Sequence, residues 1–433
     1  MDYKAFLQTE VKPAYGCTDP IAVALAAAAA GRRADGPIST IHLRLSKNIY
    51  KNGLNVGIPG TQGLTGNLLA AALGAIAGNP EKGFNVLESI TPSDVDLARQ
   101  TVSDGRVTME IASGVPNVYA EATIHSHGGT VTGIVAGRPD TLKEILIDGE
   151  AVWENSAESQ SQAHAAQDYK NELMNQDVAS LWELASTIDD ESAEFLLSGA
   201  DMNQTVVEQG LSQPWGLGLG YHLQEDFADG GMLLEIKAAA AAAADVRMAG
   251  GPFPVMSSGG SGNHGITAIV PVTLLAKHLG SSERELAEAL MLSHLVTGFI
   301  KAHTGLLTPT CGCAVAAGLG AAMAMVRLLG GDPHQAEIAA SSTLSAVLGM
   351  ICDGAKGSCA FKVSTAAGEA FLSAKMAMNN RGVDVRQGLV NPSIKEMAHV
   401  IGTLSNAETS DMDERILDLI LETDSSCDEA ASQ

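Results

Sequence analysis

Seven consecutive alanines, Ala238 to Ala244, follow Ile236-Lys237 and precede Asp245. Alanine is the best helix former, and its side chain lets a helix press its backbone close to its neighbours. A second run, Pro20-Ile-Ala-Val-Ala-Leu-Ala-Ala-Ala-Ala-Ala-Gly31, has the same character, with Pro20 suited to a first helical turn. Aromatic residues make up 4% of the chain and glycines number 46, so large rings do not fill its core. Close packing of helices through small side chains is the architecture this permits.

The remaining pattern divides the chain. Alternating Ile41, Leu43 and Leu45 predict a strand within 38–50, and strands are predicted at 107–111, 118–124 and 131–135. A small-residue helix is expected at 63–77. Residues 1–152 therefore read as a mixed α/β domain. Polar Ser, Gln and Ala at 157–167 suit a linker, placed at 153–172. Beyond it, helices are predicted at 177–187, 193–202, 231–248, 271–279, 285–302, 313–329, 334–348, 365–378 and 393–405. The expected fold is α+β: a mixed α/β N-terminal domain and a larger, mostly helical, Ala/Gly-rich domain over 173–433.

The formal net charge is −24 at pH 7, with no cluster of Lys or Arg. Such a surface repels nucleic-acid phosphates and anionic membranes, so neither is an expected partner. Residues 305–326 carry no charge and are long enough to span a bilayer, but Ala, Gly, Thr, Pro309 and two cysteines favour a loop and a buried helix. Asp2, Lys4 and Glu10 precede any apolar run, which argues against a leader peptide. The chain reads as cytoplasmic.

Five of six cysteines fall in three Gly-bearing patches: Tyr15-Gly-Cys17-Thr-Asp-Pro20, Thr310-Cys311-Gly-Cys313 and Cys352-Asp-Gly-Ala-Lys-Gly-Ser-Cys359. Cys427 sits in an acidic tail and is set aside. On a helix, Cys311 and Cys313 would point about 200° apart, so one of the two is expected at any single site. Cysteines between glycines in a thiol-reducing compartment suit metal ligation or thiol chemistry. Spacing alone leaves a Cys₃ zinc site, an iron–sulfur cluster with one open iron, and plain buried thiols all open.

The patches also carry a resemblance. Glu10-Val-Lys-Pro-Ala-Tyr-Gly-Cys17-Thr-Asp-Pro-Ile-Ala resembles the opening signature of the L-cysteine desulfidase family, relatives of the iron–sulfur L-serine dehydratases. Ser261-Gly-Asn-His264-Gly-Ile-Thr, Cys311-Gly-Cys-Ala-Val-Ala-Ala-Gly318 and Met350-Ile-Cys-Asp-Gly-Ala-Lys-Gly-Ser-Cys359 are similar to its remaining motifs, in order along nearly the whole chain. Asp19 stands where the signature more often has Glu. The resemblance implies a [4Fe–4S] enzyme, independent of pyridoxal phosphate, that eliminates the β-substituent of a small L-amino acid. For cysteine the products would be pyruvate, ammonia and sulfide. It implies Cys313, Cys352 and Cys359 as cluster ligands and Cys17 as an acid–base thiol. A homo-oligomer is expected.

Further candidates come from residue type. Gly259-Gly-Ser261-Gly-Asn263-His264-Gly265 is rich in backbone donors and lacks the P-loop Lys-Ser/Thr, so it suits a small anion rather than a nucleotide. Ser261 and Asn263 are candidate substrate-binding residues, with Asn67 a further one from the turn-rich 57–67 stretch. His264 and His303 are candidate catalytic groups. Lys301 and His303 end a helix, where they either approach the cysteines or complement the helix C-terminus. Cys17 can act as a base if its thiolate is favoured, which a helix starting near Pro20 would assist. The competing readings are an iron–sulfur L-serine dehydratase and a non-catalytic redox or metal sensor.

Overall fold

The computed structural model describes residues 1–155, 169–405 and 411–431. Most of the predicted 153–172 linker, and the side chain of Cys427, lie outside them. The architecture is α+β, a mixed six-stranded sheet in the N-terminal part followed by a large helical assembly.

The sheet runs in the order β3 (Val107–Ile111), β2 (Ile38–Leu45), β4 (Tyr119–Ser126), β5 (Gly129–Ala136), β6 (Leu142–Ile147) and β7 (Glu150–Glu154). β2 and β3 are parallel and the other pairs antiparallel. Alternation turns Ile41, Leu43 and Leu45 of β2, and Ala120, Ala122 and Ile124 of β4, towards one buried face. Helix α2 (Thr18–Gly31) lies against that face, buried from Thr18 to Ala30, and α4 (Asn67–Ala77) packs on it. Missing side chains make this possible. A Cβ on Gly133 of β5 would strike the Ala26 carbonyl of α2, and one on Gly74 of α4 would strike the Ala24 carbonyl.

The strand expected at 38–50 stops at Leu45, because Ser46 caps the short helix α3 (Lys47–Asn52), its Oγ accepting from the Ile49 N–H at 3.4 Å. Strands β6 and β7 were not predicted; β7 lies exposed along the sheet edge and carries no alternation to read.

In the helical part the alanine helix spans Gly231–Met248, and Ala238 to Ala244 are all buried. Gly210 and Gly220, from the helices Asp190–Ser212 and Leu219–Asp226, both lie where a Cβ would collide with the Ala242 backbone. The helix expected from 271 begins earlier, spanning Gly262–Leu279 with Pro271 inside it. Residues Gly262 to Val272 are all buried, and that packing overrides the unfavourable propensities of Gly and Pro.

The first residues belong to the helical side. Phe6, Leu7 and Val11 join its apolar core, and Gly298 makes room for the Phe6 ring. β1 (Pro13–Tyr15) then pairs antiparallel with β8 (Pro254–Met256), Ala14 opposite Val255. Among the described residues no helix is long and apolar enough to cross a membrane.

Candidate active site

Where β1 ends, the chain turns through Gly16 (φ +73°) and places Cys17 at the N-cap of α2. Where β8 ends, it turns through Gly259 and Gly260 and places Ser261 at the N-cap of Gly262–Leu279, with Asn263 and His264 in the first turn. Neither the Cys17 nor the Ser261 side chain caps a backbone N–H of its own helix. A third start is the π-helical turn Cys313–Ala317, which continues into Gly318–Leu328. Cys359 opens the fourth, Cys359–Ala377.

These four starts line one cleft that opens to solvent. Cys17, Asp19 and Asn52 come from the sheet side; Arg247, Ser261, Asn263, His264, Lys301, Cys311, Cys313, Cys352, Cys359 and Lys362 come from the helical side. Helix N-termini present unpaired N–H groups and positive partial charge, so the cleft is suited to anions and thiolates.

Cys311 and Cys313 both reach the cleft, against the expectation that one would turn away. Cys311 is extended rather than helical: its N–H donates to the Met350 carbonyl at 2.8 Å, and the Cys352 N–H donates to the Pro309 carbonyl at 2.7 Å. This antiparallel bridge, Thr310 opposite Ile351, draws the two cysteine segments together. The two neighbouring thiols influence each other, favouring the thiolate on Cys311 and disfavouring it on Cys313. Burial raises both Cys352 and Cys359, and Cys311 raises them further. Gly312 separates the pair because a Cβ there would meet His264 Nε2.

Cys17 departs from the expectation of a favoured thiolate. Burial, then the Asp19 carboxylate, push its thiol up to about 12 despite the helix start, with Arg247 offsetting part of this. Its Sγ donates to Asp19 Oδ2 at 3.7 Å. Asp19 itself is raised by burial to about 6, against the lowering effect of Arg247.

Arg247 was not singled out from sequence. It is buried, its Nη1 donating to Asn263 Oδ1 at 3.0 Å and its Nη2 to the Gly16 carbonyl at 2.8 Å, so it ties the Cys17 turn to the Ser261 turn. Lys301 lines the cleft with its stem over Gly259, and burial lowers it to about 8 while nearby Cys352 and Glu10 raise it. Burial, then Lys301, lower His264 to about 3, so its imidazole is neutral. Behind the loop, buried His294 shares a 2.9 Å hydrogen bond with Ser258 Oγ.

Two candidates lie elsewhere. His303 bonds through Nδ1 to the Phe299 carbonyl of its own helix, at 2.8 Å, and does not line the cleft. Asn67 is buried and donates to the Tyr50 carbonyl at 3.0 Å, joining α4 to α3 rather than facing a ligand.

Four cleft residues hold buried polar atoms with no hydrogen-bond partner: Asp19 Oδ1, Asn52 Oδ1, Arg247 Nε and His264 Nδ1. Buried polar atoms are normally satisfied, so such a concentration marks a place for a ligand. Among the described residues no three His, Cys, Asp or Glu close around a single metal ion. The thiols of Cys311, Cys313, Cys352 and Cys359 line the same cleft, a soft donor set of the kind that iron–sulfur groups and zinc both take.

Comparison with known proteins places the chain in a family. The profile of the serine dehydratase alpha chain family matches residues 81–418. A UPF0597 protein of Nitratidesulfovibrio vulgaris (strain Miyazaki F) is 48% identical over 97% of this chain and 99% of its own. Similar proteins carrying that name occur in Desulfatibacillum aliphaticivorans, 38% identical over 97% of this chain and 98% of its own, and in Clostridioides difficile, 37% identical over 96% and 98%. That profile spans well over half of this chain, which therefore belongs to the serine dehydratase alpha chain family.

Proposed function

We propose that this protein is a lyase, independent of pyridoxal phosphate, that performs α,β-elimination on L-cysteine to give pyruvate, ammonia and sulfide. The observation that carries the reading is the convergence of five free thiols, a buried arginine and a buried lysine on one cleft ringed by helix starts. Cys313, Cys352 and Cys359 would hold a [4Fe–4S] cluster, with Cys311 placed equally well for the position given to Cys313. When bound, the cluster supplies a Lewis-acidic iron for the substrate's β-substituent.

The chain's own residues do the rest. Ser261, Asn263 and the N–H groups opening Gly262–Leu279 bind the substrate carboxylate, the anion that a helix start accepts best. Arg247 fixes Asn263 in that role. Lys301, nearly neutral-pH in its acidity, is the group suited to remove the α-proton. Cys17 keeps its proton at any ordinary pH; it gives that proton to the β-carbon of the aminoacrylate and recovers one from the nitrogen as the imine forms, and water then hydrolyses the imine to pyruvate and ammonia. His264, held neutral, hydrogen-bonds the substrate rather than charging. Leu306, Leu307 and Ala355 add an apolar wall that suits a sulfur-bearing side chain. L-serine is the second reading, favoured by the family's description; the two differ only in leaving group.

Protein purified without oxygen should be brown, with visible absorbance that bleaches in air, and should release sulfide from L-cysteine with kcat/KM at least tenfold above that for pyruvate from L-serine. Cys17→Ser should keep the absorbance and lose about 10²-fold or more in turnover. A colourless, zinc-loaded protein inactive on both amino acids would reject the lyase reading. The reverse preference would establish the serine reading.

A further inference from the structure

A contact far along the chain closes over the cysteine loop. The helix Met412–Ala431 begins beside α3, which lies some 360 residues earlier. Lys51 of α3 has a side chain only 1% exposed. Its Nζ pairs with Asp413 Oδ1 at 2.7 Å and donates to the Cys352 carbonyl at 3.1 Å. Asn48 Nδ2 occupies the other Asp413 oxygen at 3.4 Å. The same short helix meets the loop again where Gly354, at φ +99°, approaches the Lys51 carbonyl so closely that a Cβ would lie 2.7 Å from it. A third point follows at once, the bridge between Asn55 and Lys356. A neighbouring ion pair, Lys47 with Glu414 at 2.9 Å, is exposed on both sides.

We propose that Lys51 and Asp413 are positioning residues: a buried clasp through which the C-terminal helix holds the Cys352–Cys359 loop closed over the cleft. A buried cation bonded at once to a carboxylate and to a loop carbonyl cannot lose the carboxylate without reorganising, because its charge would remain uncompensated away from water. The outer Lys47–Glu414 pair, screened by solvent, holds little. The consequence for function rests on the reading that Cys352 and Cys359 carry the metal group: releasing the C-terminal helix frees the loop and loosens that group.

The test is amide hydrogen exchange by mass spectrometry on the metal-free full chain, which reads the loop whether or not the lyase reading holds. Asp413→Asn and Lys51→Met should each accelerate exchange at 350–359 and 309–313 by about tenfold or more, leaving Gly231–Met248 and β4–β5 at the wild-type rate. Glu414→Gln should change nothing, and Asp413→Glu should restore slow exchange. Loop rates within twofold of wild type in both variants would overturn the clasp. So would equal acceleration in every segment, since Lys51 would then be a general stability element. In reconstituted protein, Asp413→Asn should shorten the half-life of the visible absorbance in air; accelerated loop exchange with an unchanged half-life would keep the clasp and reject Cys352 and Cys359 as ligands.

Discussion

Lys301 shows how one residue can be needed by the chemistry and resented by the fold. Its ammonium is buried at the cleft wall, and burial lowers it to about 8 from the usual 10.5. A base must be unprotonated, so kcat/KM should rise about tenfold per pH unit up to a plateau above about 8. Lys301→Met should erase that limb and cost about 10²–10⁴-fold in kcat. Stability rises with pH as well, over the next interval up. The folded state binds this proton less tightly than the unfolded chain, so stability rises as pH climbs from 8 to 10.5, and below 8 the penalty is fully present. Lys301→Met should therefore melt higher than wild type at pH 7. An unchanged melting temperature together with an unchanged pH profile would remove Lys301 from the cleft's chemistry. Sequence pointed to Cys17, Ser261, Asn263, His264, Cys313, Cys352 and Cys359 because each sits beside glycines that suit a tight turn, while Cys311 was expected to turn away. Arg247 and Lys301 ended helices, where a basic residue already has an electrostatic reason to be. His303 shared that position and turned back on its own helix, and nothing in its spacing separates it from Lys301.

At the level of elements, α2 is positioned by glycines on the surfaces that touch it. Gly133 admits its backbone from the sheet and Gly74 from α4, and Cys17 is its N-cap. Gly74→Val should cost about 1–3 kcal/mol through overpacking and shift the Cys17 turn, lowering both the urea midpoint and the turnover. Gly349→Ala, where a Cβ would meet nothing within 4 Å, should change neither. The alanine helix was legible end to end because composition alone decided it. The helix at Gly262 was misplaced by nine residues, since local rules read Gly and Pro as breaks while burial on all sides rewards continuing. β7 was invisible because an exposed edge strand has no buried face to impose alternation.

For the whole molecule, a net charge of −24 means self-repulsion, while the cleft gathers Arg247, Lys301 and Lys362 into a local exception. Screening should help the fold: raising salt from about 0.05 to 0.5 M shortens the range of repulsion and should raise the melting temperature. A fall over that range would show that the exposed ion pairs, taken together, outweigh it. The β1–β8 ribbon carries a consequence in time. Tyr15 has no strand to pair with until Pro254 has been synthesised, about 240 residues later. At a translation rate of about 5–20 residues per second, that is roughly 10–50 s with the Cys17 segment waiting on the ribosome. Asp413 comes later still. The cleft is thus among the last features the nascent chain can complete, and any group seated on its thiols arrives after synthesis is all but finished.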